Sequence, residues 1–296
     1  MKRDILYSNI RNNCKIDEDN GIQLEISLTT KQISLLKTSV ENFIIKALES
    51  YHGGEYDKNT FLVENRDQII ELPNRTPNGA FYPKKENIDQ YNELQKNINK
   101  IVVETNLIDE IESFDLCTVR IVDGKKTHLD KRNAATVKLH SDAWSGQYGD
   151  AMVTTALLGD ETTSLEFHQA VGIKSNFFDT QPDYDVGFDN FEDSKLLGNL
   201  RFNRMTIFDH SCLHRTIKND GGLRVSIDFS IKLKSSKEIN KNKSGRDVTH
   251  KSIKDMLRIG RETFIKATET LDECHNRFKN DNYDKVAVSH ISDIIQ

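Results

Sequence analysis

His140 and Asp142, two residues apart, and His214 far downstream carry the side chains most able to do chemistry in this 296-residue chain. Two imidazoles and one carboxylate can hold one face of an octahedral iron(II) and leave the opposite face open to reactants. Ten residues past His214 lies Arg224, with Ser226 two further on. A guanidinium offers a planar fork that matches a carboxylate with two parallel hydrogen bonds, which an ammonium does less well. Together these residues describe a metal site beside a seat for a carboxylate-bearing co-substrate.

The elements that must position them read as strands. On an extended backbone His140 and Asp142 face the same way, with Cα atoms roughly 6.6 Å apart. The apolar lead-in Ala135–Leu139 predicts a strand ending at the site. Arg204–Phe208 predicts another, ending just before His210-Ser211-Cys212-Leu213-His214. The turn Asn219-Asp220-Gly221-Gly222 then feeds the strand Leu223–Leu233, on which Arg224 and Ser226 share a face. Leu116–Val122, Met152–Leu158 and Ser164–Phe167 are further short β-branched or apolar runs.

Upstream the period changes. Ile22–Ile26 alternates as a strand, and Ile33, Leu36, Val40, Phe43, Ile44 and Leu48 recur at helical spacing behind Thr29 or Thr30 as cap. Residues 53–83 read as loop, and a second helix follows Pro83 with Ile88, Tyr91, Leu94, Ile98, Ile101 and Val102 on one face. Helices followed by a procession of strands predict an α+β architecture with a β sandwich or barrel. The Phe- and Asp-rich stretch 173–200 interrupts the strands, as a lid or binding loop does. Residues 234–250 read as a polar linker. Residues 249–279 regain helical spacing, so 251–296 is expected to be a helical extension that braces the sheet or forms a homodimer contact.

In the order and spacing of these motifs the stretch Leu116 to Leu233 resembles the iron(II)/2-oxoglutarate-dependent oxygenases, in particular their phytanoyl-CoA-dioxygenase-like branch. That family's pattern is His-x-Asp, a distal His, and an Arg about ten residues later, often as Arg-x-Ser. The resemblance implies a double-stranded β-helix (a jelly-roll or cupin-like core, about 116–233) with the N-terminal helices of 1–115 packed on its major sheet. It implies that His140, Asp142 and His214 bind iron(II), that Arg224 pairs with the far carboxylate of 2-oxoglutarate, and that Ser226 donates a hydrogen bond to it. O2 is then the oxidant, succinate and CO2 are released, and no catalytic side chain is needed beyond the metal ligands. Family members that halogenate typically lack the carboxylate, so the resemblance with Asp142 present favours hydroxylation, although desaturation or ring formation would use the same ligands.

His210 and His168 compete for the third ligand position. His214 is preferred for its distance to Arg224, which His210 does not share. Thr154, on the strand 152–158, is read as a contact to 2-oxoglutarate, with plain β propensity as the alternative. Trp144, His168 and Arg215 are read as substrate-pocket residues, against ordinary packing for the tryptophan and solvation for the charge.

The bulk composition narrows the partners. A net charge of −5 weighs against a general nucleic-acid binder, which carries a basic surface. A mean hydropathy of −0.61, with no run near the length of a membrane span, gives no membrane partner. Four scattered cysteines without a Cys-x-x-Cys pair suit a reducing cytoplasm. The expected substrate is a small molecule. The rival readings are a non-catalytic cupin-like metal-binding or sensor protein, which needs no carboxylate clamp, and a metal-dependent hydrolase or isomerase, for which no base lies near the motif.

Overall fold

The computed structural model describes residues 7–147, 149–236, 250–275 and 294–295. The N-terminal part lays down α1 (Ser8–Asn13), β1 (Ile16–Asp19), β2 (Gln23–Ser27) and α2 (Thr30–His52). Thr29 starts α2 through a reciprocal capping box. Its backbone N–H donates to Gln32 Oε1 at 2.8 Å, while its hydroxyl accepts from the Gln32 N–H at 3.3 Å. Gly53, at φ +75°, ends the helix. The stretch read as loop contains two short helices, α3 (Phe61–Glu64) and α4 (Arg66–Glu71), and a two-residue strand β3 (Ala80–Phe81). Then come α5 (Ile88–Glu104), β4 (Ile111–Asp115) and β5 (Thr118–Asp123).

The strand expected over 116–122 starts two residues later because α5 claims the backbone of Cys117. Tyr91 Oη donates to its carbonyl at 2.6 Å, and its N–H donates to Gln95 Oε1 at 2.9 Å. The remaining core strands are β6 (Ala151–Gly159), β7 (Ser164–Val171), β8 (Asp193–Asn199), β9 (Arg204–Asp209), β10 (Cys212–Ile217) and β11 (Leu223–Leu233). They divide into a large antiparallel sheet, β1-β2-β9-β6-β11-β4 with β5 also on β11, and a small one, β10-β7-β8.

Strand β11 organises the large sheet, pairing with β6 on one side and with β5 and β4 on the other. Its side chains alternate in chemistry as well as direction. Val225, Ile227, Phe229 and Ile231 join the core that the sheet shares with Leu36, Val40 and Phe43 of α2 and Leu94, Ile98 and Ile101 of α5. Each such side chain, fully buried, contributes about 1.5–3 kcal/mol. Arg224, Ser226 and Asp228 point the other way, toward the small sheet. There Phe208 of β9 meets Phe167 at 5.0 Å between ring centroids and His214 at 4.9 Å. The result is a mixed α/β fold in which helices cover one face of a large antiparallel sheet and a three-stranded sheet covers the other.

Three expectations need correction. Ala135–Leu139 forms no strand, because Lys138 N–H donates back to Ala135 O at 3.0 Å in a turn; Thr136 O accepts one bond from Thr216 N–H of β10 at 2.7 Å, and the β-bridge to β10 is made by His140. Asp142 opens a 3-10 turn (Asp142–Ser145) instead of continuing an extended run.

The single helix expected over 249–279 is, over residues 250–275, a strand β12 (His250–Ser252) on β4, a helix α6 (Ile253–Arg258), a strand β13 (Phe264–Ile265) and a helix α7 (Leu271–His275). Gly260, at φ +78°, breaks the run. Two α5 amides hold the broken backbone. Asn99 Nδ2 donates to Met256 O at 2.6 Å, and Asn92 exchanges bonds of 2.8 and 2.9 Å with Ile265. The segment thus braces its own chain. Most of the expected linker (237–249) and residues 276–293 lie outside the described residues. Among the described residues no helix is long and apolar enough to cross a membrane.

Candidate metal centre

The turn after β-bridge residue His140 and the middle of β10 bring three ligand groups together. Ligand atoms of His140, Asp142 and His214 all lie within 4.8 Å of one another. His214 Nε2 is 3.6 Å from Asp142 Oδ2, and the two imidazole centroids are 4.3 Å apart. Backbone does most of the positioning. His140 and His214 exchange N–H···O=C bonds of 3.0 and 2.8 Å, which fixes the first ligand's segment on β10. Ser141, extended and fully buried, donates its hydroxyl to His210 O and accepts from Ala143 N–H at 3.1 Å. That bond starts the turn carrying Asp142 back toward the imidazoles.

Each histidine is held at Nδ1 by a carbonyl: His140 by Lys138 O at 2.8 Å, His214 by Cys212 O at 3.4 Å. With the proton on Nδ1, each Nε2 keeps a lone pair for a metal. Burial, reinforced by the neighbouring His214, pushes the His140 pKa down to about 3. Burial likewise brings His214 to about 4. Both rings are therefore neutral at physiological pH, the form that ligates.

Arg224 lies across the gap on the inner face of β11. It is 1 % exposed, yet its Nε and Nη1 have no partner among the described residues. Burial lowers its pKa to about 10, which still leaves it charged at neutral pH. Two buried N–H groups without partners among the described residues carry a desolvation cost that an anion bound there would relieve. The donor set fits iron(II), and the orphaned fork fits a carboxylate of 2-oxoglutarate.

The two hydroxyls expected to help are otherwise engaged. Thr154 Oγ1 donates to Asp228 Oδ1 at 2.7 Å and Ser226 Oγ to the same oxygen at 3.3 Å, while Arg120 Nε donates to Oδ2 at 2.5 Å. Asp228 is thus the hub of the polar inner wall. Its signal in the sequence was the continuation of Arg224-x-Ser226 to a third polar residue on the same face. Thr206, opposite Thr154 on β9, adds a buried hydroxyl with no partner among the described residues.

The structure does not bring the expected pocket residues to this wall. On the small sheet Phe167 and His214 face inward, so His168 and Arg215, next to them in sequence, face outward. Glu166 Oε1 there accepts from Arg215 Nε at 2.7 Å and sits 2.7 Å from His168 Nε2. Trp144 is fully buried on that same outer side, its Nε1 donating to Phe177 O at 2.7 Å. It packs; it does not line the gap between the sheets.

No protein-family model matches the sequence, and no curated protein matches it. Among solved structures, the chain is similar to AviO1 from Streptomyces viridochromogenes Tue57, 14% identical over 77% of this chain and 95% of that one, with a TM-score of 0.41. It is also similar to the non-heme alpha-ketoglutarate-dependent epimerase SnoN from nogalamycin biosynthesis (11%, 82% and 95%, TM-score 0.36). A third is the non-heme monooxygenase ThoJ (13%, 79% and 85%, TM-score 0.36). At these scores the functional reading rests on the residues of the site.

Proposed function

We propose that this protein is an iron(II)- and 2-oxoglutarate-dependent oxygenase with a double-stranded β-helix core, and that it hydroxylates a C–H bond of a small metabolite. The observation that carries the reading is Arg224, a buried charged fork with two nitrogens partnerless among the described residues, on the inner face of the large sheet opposite the small sheet that carries His214. A metal held for structure or sensing needs no such clamp.

In this reading the three ligands occupy one face of the metal, and Arg224 takes the far carboxylate of 2-oxoglutarate. When bound, the metal and 2-oxoglutarate supply the oxidising chemistry, in which O2 and the keto acid are consumed and succinate and CO2 released. The chain's own work is to keep both imidazoles neutral by burial and both Nδ1 protons on carbonyls. Asp228 gathers Arg120, Thr154 and Ser226, so Arg224 alone offers uncommitted donors on β11. The polar wall behind it orients the co-substrate, and the apolar cluster of Phe167, Leu165, Phe208 and Ala156 excludes water from the depth of the gap. Four free, buried thiols support a reducing compartment.

The test is an anaerobic visible-absorbance titration of metal-free protein with iron(II) and 2-oxoglutarate. A weak charge-transfer band is expected, absent in His214→Ala and needing far more 2-oxoglutarate in Arg224→Ala. Stoichiometric iron uptake without a band overturns the co-substrate assignment and leaves a metal-binding protein. O2-dependent succinate release on substrate screening separates an oxygenase from a hydrolase or isomerase.

A further inference from the structure

Residues 172–192, between β7 and β8, sit where the sequence predicts a lid. Their contacts lead elsewhere. The segment is closed at its base, with Glu192 N–H donating to Val171 O and Lys174 N–H to Asn190 O, both at 2.9 Å. It covers the outer face of the small sheet, where Phe177, Tyr184 and Phe191 pack with Trp144 and Leu213. At its far end it reaches the metal loop by four routes. The Tyr184 ring stacks on His140, with centroids 4.3 Å apart and planes 7° from parallel. Gln181 N–H donates to Trp144 O at 2.9 Å, and Tyr184 N–H to Asn133 O at 3.1 Å. Lys138 Nζ donates to Asp183 at 3.0 Å and to Asp185 at 2.5 Å. The same Lys138 supplies the carbonyl that holds His140 Nδ1. Gly187 lies so close to Trp144 that a Cβ there would stand 2.3 Å from the indole.

We propose that this segment is a strap that sets the orientation of His140, with Tyr184 as its positioning residue, and not a lid that closes over substrate. The inference rests on the metal-binding role of His140 proposed above. An imidazole fixed only at Nδ1 can still rotate about that hydrogen bond. A ring stacked parallel on its face removes that freedom and aims Nε2 at the position the other two ligands share. Outer contacts of this kind hold ligands in place, and their loss typically costs about 10- to 100-fold in metal affinity. The ion pairs of Lys138 fasten the strap to the same peptide that orients the ring. Ligand and strap therefore move as one body.

The experiment is a cobalt(II) titration of metal-free full-length protein, followed by the visible bands of the bound ion, which report ligand geometry. Tyr184→Ala is expected to weaken cobalt binding about 10- to 100-fold and to shift the bands. Tyr184→Phe, which keeps the stacked ring, restores most of both. Thermal midpoints of the metal-free variants show that each is folded. If Tyr184→Ala does not fold, Lys138→Met, which keeps the backbone carbonyl, takes its place with the same expected direction. Wild-type affinity and bands in a folded Tyr184→Ala or Lys138→Met overturn the strap and leave the metal site standing. A wild-type protein that takes up no cobalt overturns the metal site and the strap together.

Discussion

The two halves of the site are built on opposite principles. On the proposed metal side both imidazoles are braced by the chain itself. Both Nδ1 atoms meet carbonyls, the two histidines exchange backbone hydrogen bonds, and Tyr184 covers the face of His140. On the β11 side Arg224 is buried with two nitrogens unpartnered among the described residues, while its neighbours Ser226, Thr154 and Arg120 are committed to Asp228. The first half spends folding energy on geometry, which a metal ion rewards because it tolerates little misplacement. The second half carries a desolvation cost that an incoming carboxylate relieves. A preorganised ligand set and a strained counter-charge are complementary ways to make binding selective.

The comparison breaks most completely at a ligand. His214→Ala or His140→Ala is expected to abolish stoichiometric iron(II) binding and succinate formation, as checked by iron analysis and turnover.

Arg224→Met separates the two principles. It should raise the dissociation constant for 2-oxoglutarate about 10- to 100-fold, the worth of hydrogen bonds to a charged group. Yet the ligand-free protein should become more stable, by about 1–3 kcal/mol, because two buried donors without partners among the described residues are gone. Iron binding should be nearly unchanged. Calorimetric titration and thermal unfolding measure the two effects, and a drop in ligand-free stability would contradict the strained-charge account.

Asp228→Asn should cost about 1–3 kcal/mol of folding stability, since Arg120 loses its buried partner while the hydroxyls keep an acceptor. Urea unfolding is the check.

Acidification probes the metal side alone. The folded pKa values of His140 and His214 lie near 3 and 4, below the ordinary 6.5. As pH falls from 6.5 toward 4 the unfolded chain takes up protons that the folded imidazoles refuse, so metal-free stability should fall through that window. At pH 5 the two folded imidazoles remain unprotonated and iron affinity should hold, which a titration at two pH values tests.

The smallest effect belongs to the outer face. Arg215→Ala, breaking a half-exposed pair with Glu166, should change stability by about 1 kcal/mol or less and leave 2-oxoglutarate binding alone.

The elements governed by short-range rules were legible in the sequence. Thr29 or Thr30 was read as the cap of α2, and Thr29 serves, while the alternation of β11 places Arg224 and Ser226 on one face before any partner strand is known. Sidedness relative to a second sheet was not legible. His168 and Arg215 sit beside inward residues in sequence, and only the pairing of β7 with β10 shows that they point outward. Trp144 lies two residues past Asp142, but the 3-10 turn sends it to the far side of the small sheet. The C-terminal helical spacing was real in pattern, but amides on α5, a hundred and more residues away in the chain, capture its backbone instead.

The position of β11 in the large sheet also bears on how the chain acquires its fold. It is the last core strand in sequence, yet it lies between β6 and the β4/β5 pair. Until it emerges from the ribosome, β2, β9 and β6 can form one fragment of the sheet, while β4 and β5, which pair with different stretches of β11 and not with each other, lack the strand that aligns them, and α2 and α5 lack the apolar face they cover. Such long-range closure is slow and leaves apolar surface exposed to aggregation. The strand that completes the sheet also carries Arg224, so the proposed carboxylate seat and the completed core arise in a single event, and a chain truncated before Leu223 would lack both.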